Sequence, residues 1–256
     1  MSETIIYEQP LNERIRTFLR LEFLFSRAER AMEGDSEWDT REVIESLAGI
    51  TTIFERSDLK SEIIKELERL IETLAALEHS LGVDRSRLDT LLSQLDQNLD
   101  ALLITKAPIG QVVRDNEFLK SIRQRSSIPG GTCGFDLPAY HFWLQHTEIA
   151  ERKQQLQLWL DQFLIVCSAI NICLRLIRGS SNSVEKIASS GFYQQTFDTH
   201  QHSQLVRIII PTNADYFPEI SGGKHRFSIR FMNFKIDQRA QQAKDDVPFL
   251  LNCCVM

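Results

Sequence analysis

The chain has 256 residues, 43% of them hydrophobic and 25% charged, and its 35 acidic against 29 basic side chains leave a formal net charge of −6. That length buries a substantial core, and the composition is that of an ordinary globular protein without low-complexity tracts. No apolar run reaches the roughly 18 residues that span a bilayer, and five cysteines, an odd number, imply no disulfide framework.

The first hundred residues read as helices. Pro10 opens an apolar pattern of Leu11, Ile15, Phe18, Leu19, Phe23 and Leu24 that ends at Gly34-Asp-Ser. Asp39 or Thr40 caps a second helix carrying Val43, Ile44, Leu47, Ile50 and Phe54, and Ser57 or Asp58 caps a third that stops near Gly82. Asp84 begins a fourth, and Pro108-Ile-Gly starts a basic helix through Arg125. From Ser126 to Pro138 the chain is too rich in Gly and Pro to be helical throughout. Thr147 to Arg178 returns as one long helix. Strands follow at Gly191–Phe197, Gln204–Ile210, His225–Ile236 and Pro248–Leu251, with Pro211, Asn213 and Ser221-Gly-Gly as turns. The fold class expected is α+β. Residues 1–125 with 147–178 form a helical domain, its last helix covering about 148–178. Residues 126–146 with 180–256 form a small antiparallel β-domain, the 126–146 segment joining the sheet from mid-chain.

Charge is unevenly placed. Acidic side chains dominate from Glu33 to Asp100, whereas Lys106, Arg114, Lys120, Arg123 and Arg125 outweigh Asp115 and Glu117 in the next stretch. In the strand beginning at His225, period-two alternation puts Arg226, Ser228 and Arg230 on one face and Phe227, Ile229 and Phe231 on the other. Such a strand is laid out to pack on one side and hold an acidic partner on the other.

Catalytic grammar is absent. Pro129-Gly-Gly-Thr-Cys-Gly and Ser221-Gly-Gly-Lys lack the ending of a phosphate loop and read as turns. The histidines at 79, 141, 146, 200, 202 and 225 show no metal-ligand spacing, so neither a metal nor another cofactor is expected. Cys133 near Asp136 and His141 is a weak nucleophile pattern. Nucleic-acid binding through Arg123, Arg125, Lys224, Arg226 and Arg230 interleaved with Phe227 and Phe231 is the alternative function. Cys253-Cys-Val-Met formally fits a prenylation signal but follows no polybasic run. Without a signal peptide pattern at Met1-Ser-Glu-Thr, a cytoplasmic protein with no membrane partner is expected.

Five separated motifs then carry a likeness. They are Glu8-Gln-Pro-Leu-Asn-Glu-Arg-Ile-Arg-Thr-Phe-Leu-Arg-Leu-Glu, Ile53-Phe-Glu-Arg-Ser-Asp-Leu-Lys-Ser-Glu, Ser127-Ile-Pro-Gly-Gly-Thr-Cys-Gly-Phe-Asp-Leu-Pro, Gly191-Phe-Tyr-Gln and Ile220-Ser-Gly-Gly-Lys-His-Arg-Phe-Ser-Ile-Arg-Phe-Met. In this order, across about residues 5 to 235, they resemble the ZapD family of bacterial division-ring proteins. The resemblance implies a non-enzymatic, cytoplasmic homodimer at the mid-cell division ring. It implies binding to the C-terminal tail of FtsZ, the tubulin-like division GTPase, and bundling of FtsZ filaments into a stable Z-ring. The family's basic binding residues match Arg20, Arg56, His141, Arg226 and Arg230. One further basic family position falls on Glu117, of opposite charge, so the neighbouring Arg114 or Lys120 is a candidate to substitute for it, and Lys224 beside the β-strand is a separate additional candidate.

Overall fold

The structure, a computed structural model, describes residues 3–56, 58–78, 82–197, 203–223 and 225–256. In chain order the elements are β1 (Thr4–Pro10), α1 (Glu13–Glu33), α2 (Glu37–Arg56), α3 (Leu59–Ala75), α4 (Arg85–Ile104), α5 (Gln111–Asp115), α6 (Glu117–Ser126), α7 (Pro138–His146), α8 (Ile149–Asp161) and α9 (Leu164–Gly179). Then come β2 (Val184–Ala188), β3 (Phe192–Thr196), β4 (Leu205–Pro211), β5 (Tyr216–Gly222), β6 (Arg226–Asn233), β7 (Gln241–Gln242) and β8 (Val247–Cys254). The α+β class expected from the sequence is the one observed. The chain divides into two compact units, Met1–Arg16 with Leu174–Met256, and Thr17–Cys173.

Local chemistry sets several helix starts in the second unit. Asp58 and Asp84 accept hydrogen bonds from the Ser61 and Arg87 amides, satisfying donors that open α3 and α4. At α2, Ser36 and Asp39 bond reciprocally, side chain to backbone. The basic helix expected through Arg125 is two helices, because Asn116 adopts extended backbone and its side chain caps α6 by accepting from the Leu119 amide. The long helix expected over 148–178 is also two, α8 and α9, bent by 63° between Asp161 and Leu164. No single helix among the described residues is long and apolar enough to cross a membrane.

The segment 126–146 departs most from expectation. It contributes to neither sheet: its Gly-rich part forms turns, and Pro138 opens α7 from the first helical turn, where its missing N–H is harmless. Tyr140 and Leu144 of α7 are buried, and Phe118, Tyr140, Trp143 and Trp159 form a ring cluster with centroids 5.4–6.3 Å apart. Arg41 fastens this region, stacking 5.0 Å from the Tyr140 ring and donating to the Thr132 carbonyl at 3.0 Å.

The other unit holds two antiparallel sheets, one in the order β1-β4-β8-β2 and the other β3-β6-β5, with β7 pairing the end of β6. Four strands went unread in the sequence: β1, β2, β5 and the short β7. β8, assigned only over Pro248–Leu251, runs from Val247 to Cys254 and is paired on both sides, to β4 and β2. Cys253, the residue a prenylation signal would modify, is half-buried and paired with Val206 within β8, so its modification requires the end of this strand to be unmade. Ile208, Phe249 and Leu251 of the first sheet pack with Phe227, Ile229 and Phe231 of the second in one apolar cluster. The β2–β3 connection has positive φ at both Ser190 (48°) and Gly191 (71°), a primed-type tight turn closed by the single Ser189–Phe192 bridge as the chain passes from one sheet to the other. Glu8 adds a polar clamp, accepting from Arg178 at 2.7 and 2.8 Å and from Arg207 at 2.9 Å.

Candidate functional site

β6 is the central strand of its sheet, paired with β3 on one side and β5 on the other. Its alternation is the one the sequence pattern sets out: Phe227, Ile229 and Phe231 are buried, while Arg226 and Arg230 are exposed and Ser228 is half-buried between them. Cross-strand register completes the outer face. Arg226 lies opposite Thr196, Ser228 between Gln194 and Ser221, and Arg230 between Phe192 and Glu219. Directly paired residues share a face, so these side chains form one polar surface bordered by the exposed Phe192 ring.

A shallow concavity of about 480 Å³ opens at one end of this face, lined by Gln194, Ser221, Gly223, His225, Arg226 and Ser228. Among the described residues, Gln194, Ser221, Arg226 and Ser228 use none of their side-chain donors within the chain, and neither Arg226 nor Arg230 makes an ion pair. Even Glu219, directly opposite Arg230, does not come within 4.0 Å. A guanidinium, two hydroxyls and an amide, all uncommitted, suit carboxylates on a ligand. Lys224 lies outside the described residues.

The remaining sequence-derived candidates belong to the helical unit and divide by what they already hold. Arg20 is exposed on α1 and unpaired among the described residues. Arg56 closes α2, and its side chain lies outside what is described. His141 is exposed on α7, its ring close beneath Gly134, where an added Cβ would approach to 3.3 Å. Lys120 pairs with Glu117 at 3.1 Å, so the acidic residue at the family-basic position occupies its own neighbour. Arg114 is half-buried with an unpartnered Nε. Arg123 and Arg125 are taken up by Glu55 at 2.7 Å and Asp136 at 3.7 Å. The basic stretch from Lys106 to Arg125 is therefore much less available than its composition suggests.

Sequence reasoning missed Phe192, Gln194 and Ser221 as members of the face. Ser221 was assigned to a turn, and nothing local announces that β3 pairs with β6. As for the cysteine pattern, the Cys133 thiol donates to Asp136 at 3.4 Å, and no histidine nitrogen is hydrogen-bonded to it among the described residues. Burial pushes the Cys167 and Cys253 thiols up to about 11, far from nucleophilic readiness.

Comparison with known proteins decides the family. The ZapD family, described as a cell division protein, matches residues 19–230. The chain belongs to the ZapD family. The cell division protein ZapD of Methylococcus capsulatus is 41% identical over 256 residues, covering 100% of both chains. ZapD proteins of Cupriavidus necator and Nitrosomonas eutropha are each 38% identical, over 251 and 250 residues, covering 98% of this chain and 99% of theirs. These alignments extend past Lys235, beyond the reach of the five motifs, and so include β8. The chain is thus a member of a cell division family that is not described by an enzymatic activity.

Proposed function

We propose that this protein is a non-enzymatic division factor that binds the C-terminal tail of FtsZ and, as a homodimer, cross-links FtsZ filaments in the cytoplasm at the mid-cell ring. The observation that carries the reading is the pair Arg226 and Arg230, exposed on the outer face of β6 and held by no carboxylate among the described residues. Leaving two cations unpaired on one face of an ordered central strand suits an acidic ligand. Arg20, Arg56 and His141 are proposed as further contacts, with Arg114, Lys120 and Lys224 in secondary roles. A dimer carrying two tail sites bridges two filaments, and the many tails along each filament multiply a weak single-site affinity.

The nucleic-acid reading interleaves Phe227 and Phe231 with the arginines as stacking rings, but both are buried in the core, which leaves Phe192 as a single ring beside Arg230 rather than a row on which successive bases stack. Co-sedimentation tests the proposal. Bundles are expected with full-length FtsZ and not with FtsZ lacking its tail; equal bundling of the tail-less polymer refutes it.

A further inference from the structure

Phe23 stands apart in α1. The apolar pattern assigns it to the buried stripe, yet it is 65% exposed while Leu21 and Phe25 on either side are buried. At 100° per residue, Arg20, Phe23, Arg27 and Arg30 fall within an arc of about 80°. The ring therefore stands in water on a basic helix face. A groove of about 490 Å³ runs beside it between α1 and α2, lined by Phe23, Ser26, Arg27, Arg30, Asp39 and Glu42.

The charges in that groove are unequal in what they leave free. Arg27 is committed to Glu42 and, at 3.0 Å, to Glu45. Asp39 accepts from the Ser36 amide at 2.9 Å and hydroxyl at 2.5 Å, which holds its carboxyl below the usual range. Arg30 in the groove, and Arg20 beyond its end one turn before Phe23, have no ion pair or hydrogen bond among the described residues. Two uncommitted guanidinium groups thus bracket an exposed aromatic ring. Ten helical residues separate them by about 15 Å, the reach of four to five residues of extended chain.

We propose that the α1–α2 groove is a peptide subsite that takes an apolar side chain against Phe23 and carboxylates flanking it at Arg20 and Arg30. The occupant is a short, extended acidic segment of the same tail whose binding was proposed above, and the inference rests on that reading. It adds selectivity: a purely acidic peptide satisfies the arginines but leaves the ring in water.

The test is fluorescence anisotropy with a labelled FtsZ tail peptide and with a version whose apolar residues are replaced by serine. The full chain is used unmodified and as Phe23→Ser, Arg30→Gln, Arg226→Glu and, as a net-charge control on α4, Arg85→Gln. Phe23→Ser is expected to weaken the native peptide about tenfold and Arg30→Gln about three- to fivefold, with Arg85→Gln unchanged. The serine-substituted peptide is expected to bind more weakly and to be insensitive to Phe23→Ser. If Arg226→Glu weakens binding while Phe23→Ser and Arg30→Gln stay within twofold of the unmodified chain, the groove assignment falls and the tail reading stands. A loss equal to that of Arg85→Gln reduces the effect to net charge and also overturns the assignment. No tail binding by the unmodified chain sinks both. Thermal melting checks that each variant is folded, and Arg30→Gln at the surface keeps the proposal testable even if Phe23→Ser is not.

Discussion

Substitutions walked along β6 are expected to alternate between two unrelated readouts. Phe227 and Phe231 point into the core, and Phe231 meets Phe249 with ring centroids 5.1 Å apart. Truncation to alanine removes that packing and leaves a cavity, costing about 3–5 kcal/mol of stability. Arg226 faces outward opposite Thr196 with no ionic partner among the described residues, so Arg226→Glu changes stability by no more than about 0.5 kcal/mol. Arg230→Glu is less clean because it sets two carboxylates opposite each other across the Glu219 pair, which adds about 0.2–1 kcal/mol of strain. Arg230→Gln avoids this. Binding moves the other way. One charge pair at about 4 Å is worth about 1 kcal/mol in water and about 4 at an effective dielectric of 20, so reversal on this open face costs about 2 kcal/mol, close to 30-fold in affinity. Urea denaturation gives the first readout, and tail-peptide anisotropy at low and high salt gives the second, with the arginine effects shrinking as salt rises. If Arg226→Glu binds the tail normally, or loses binding only by unfolding, the face has been misassigned.

Three further outcomes follow from the packing. Glu8→Ala is expected to cost about 2 kcal/mol in urea denaturation, because it leaves the half-buried Arg178 and Arg207 without their shared carboxylate. Gly110→Ala is expected to cost about 2–4 kcal/mol by thermal melting, since φ there is 68° and the new Cβ collides with the Phe163 ring. Acidification is expected to destabilise the helical unit: hydrogen bonds from Arg41 and Arg27 hold Glu37 and Glu42 below their ordinary 4.5, so their contribution is intact above that value and is lost as pH falls through the depressed values. Circular dichroism melts from pH 6 down to about pH 3 check the last, and unchanged stability across that range contradicts it.

What the sequence determined by itself lies close along the chain. The caps at Asp58 and Asp84 were legible because capping is a contact across three residues. The two faces of β6 were legible because alternation is fixed by strand geometry whatever the strand pairs with. The helical periodicities placed most buried positions, but near the edge of a stripe they misassigned Phe23, since a helix pattern does not say how wide the covering neighbour is. What the tertiary structure alone decided involves distant partners. β1 is a strand, and β8 continues past Leu251 to Cys254, because each finds β4 some two hundred and some fifty residues away along the chain, and backbone pairing at that distance is not written in the local sequence. Residues 126–146 became turns followed by the helix α7, held by Arg41 and the aromatic cluster, rather than part of the sheet. Which arginines remain available was equally unreadable: Arg123 and Arg125 are spent on Glu55 and Asp136, whereas Arg20, Arg226 and Arg230 are not. Composition counts charges, but only the fold determines which of them have already met their opposites.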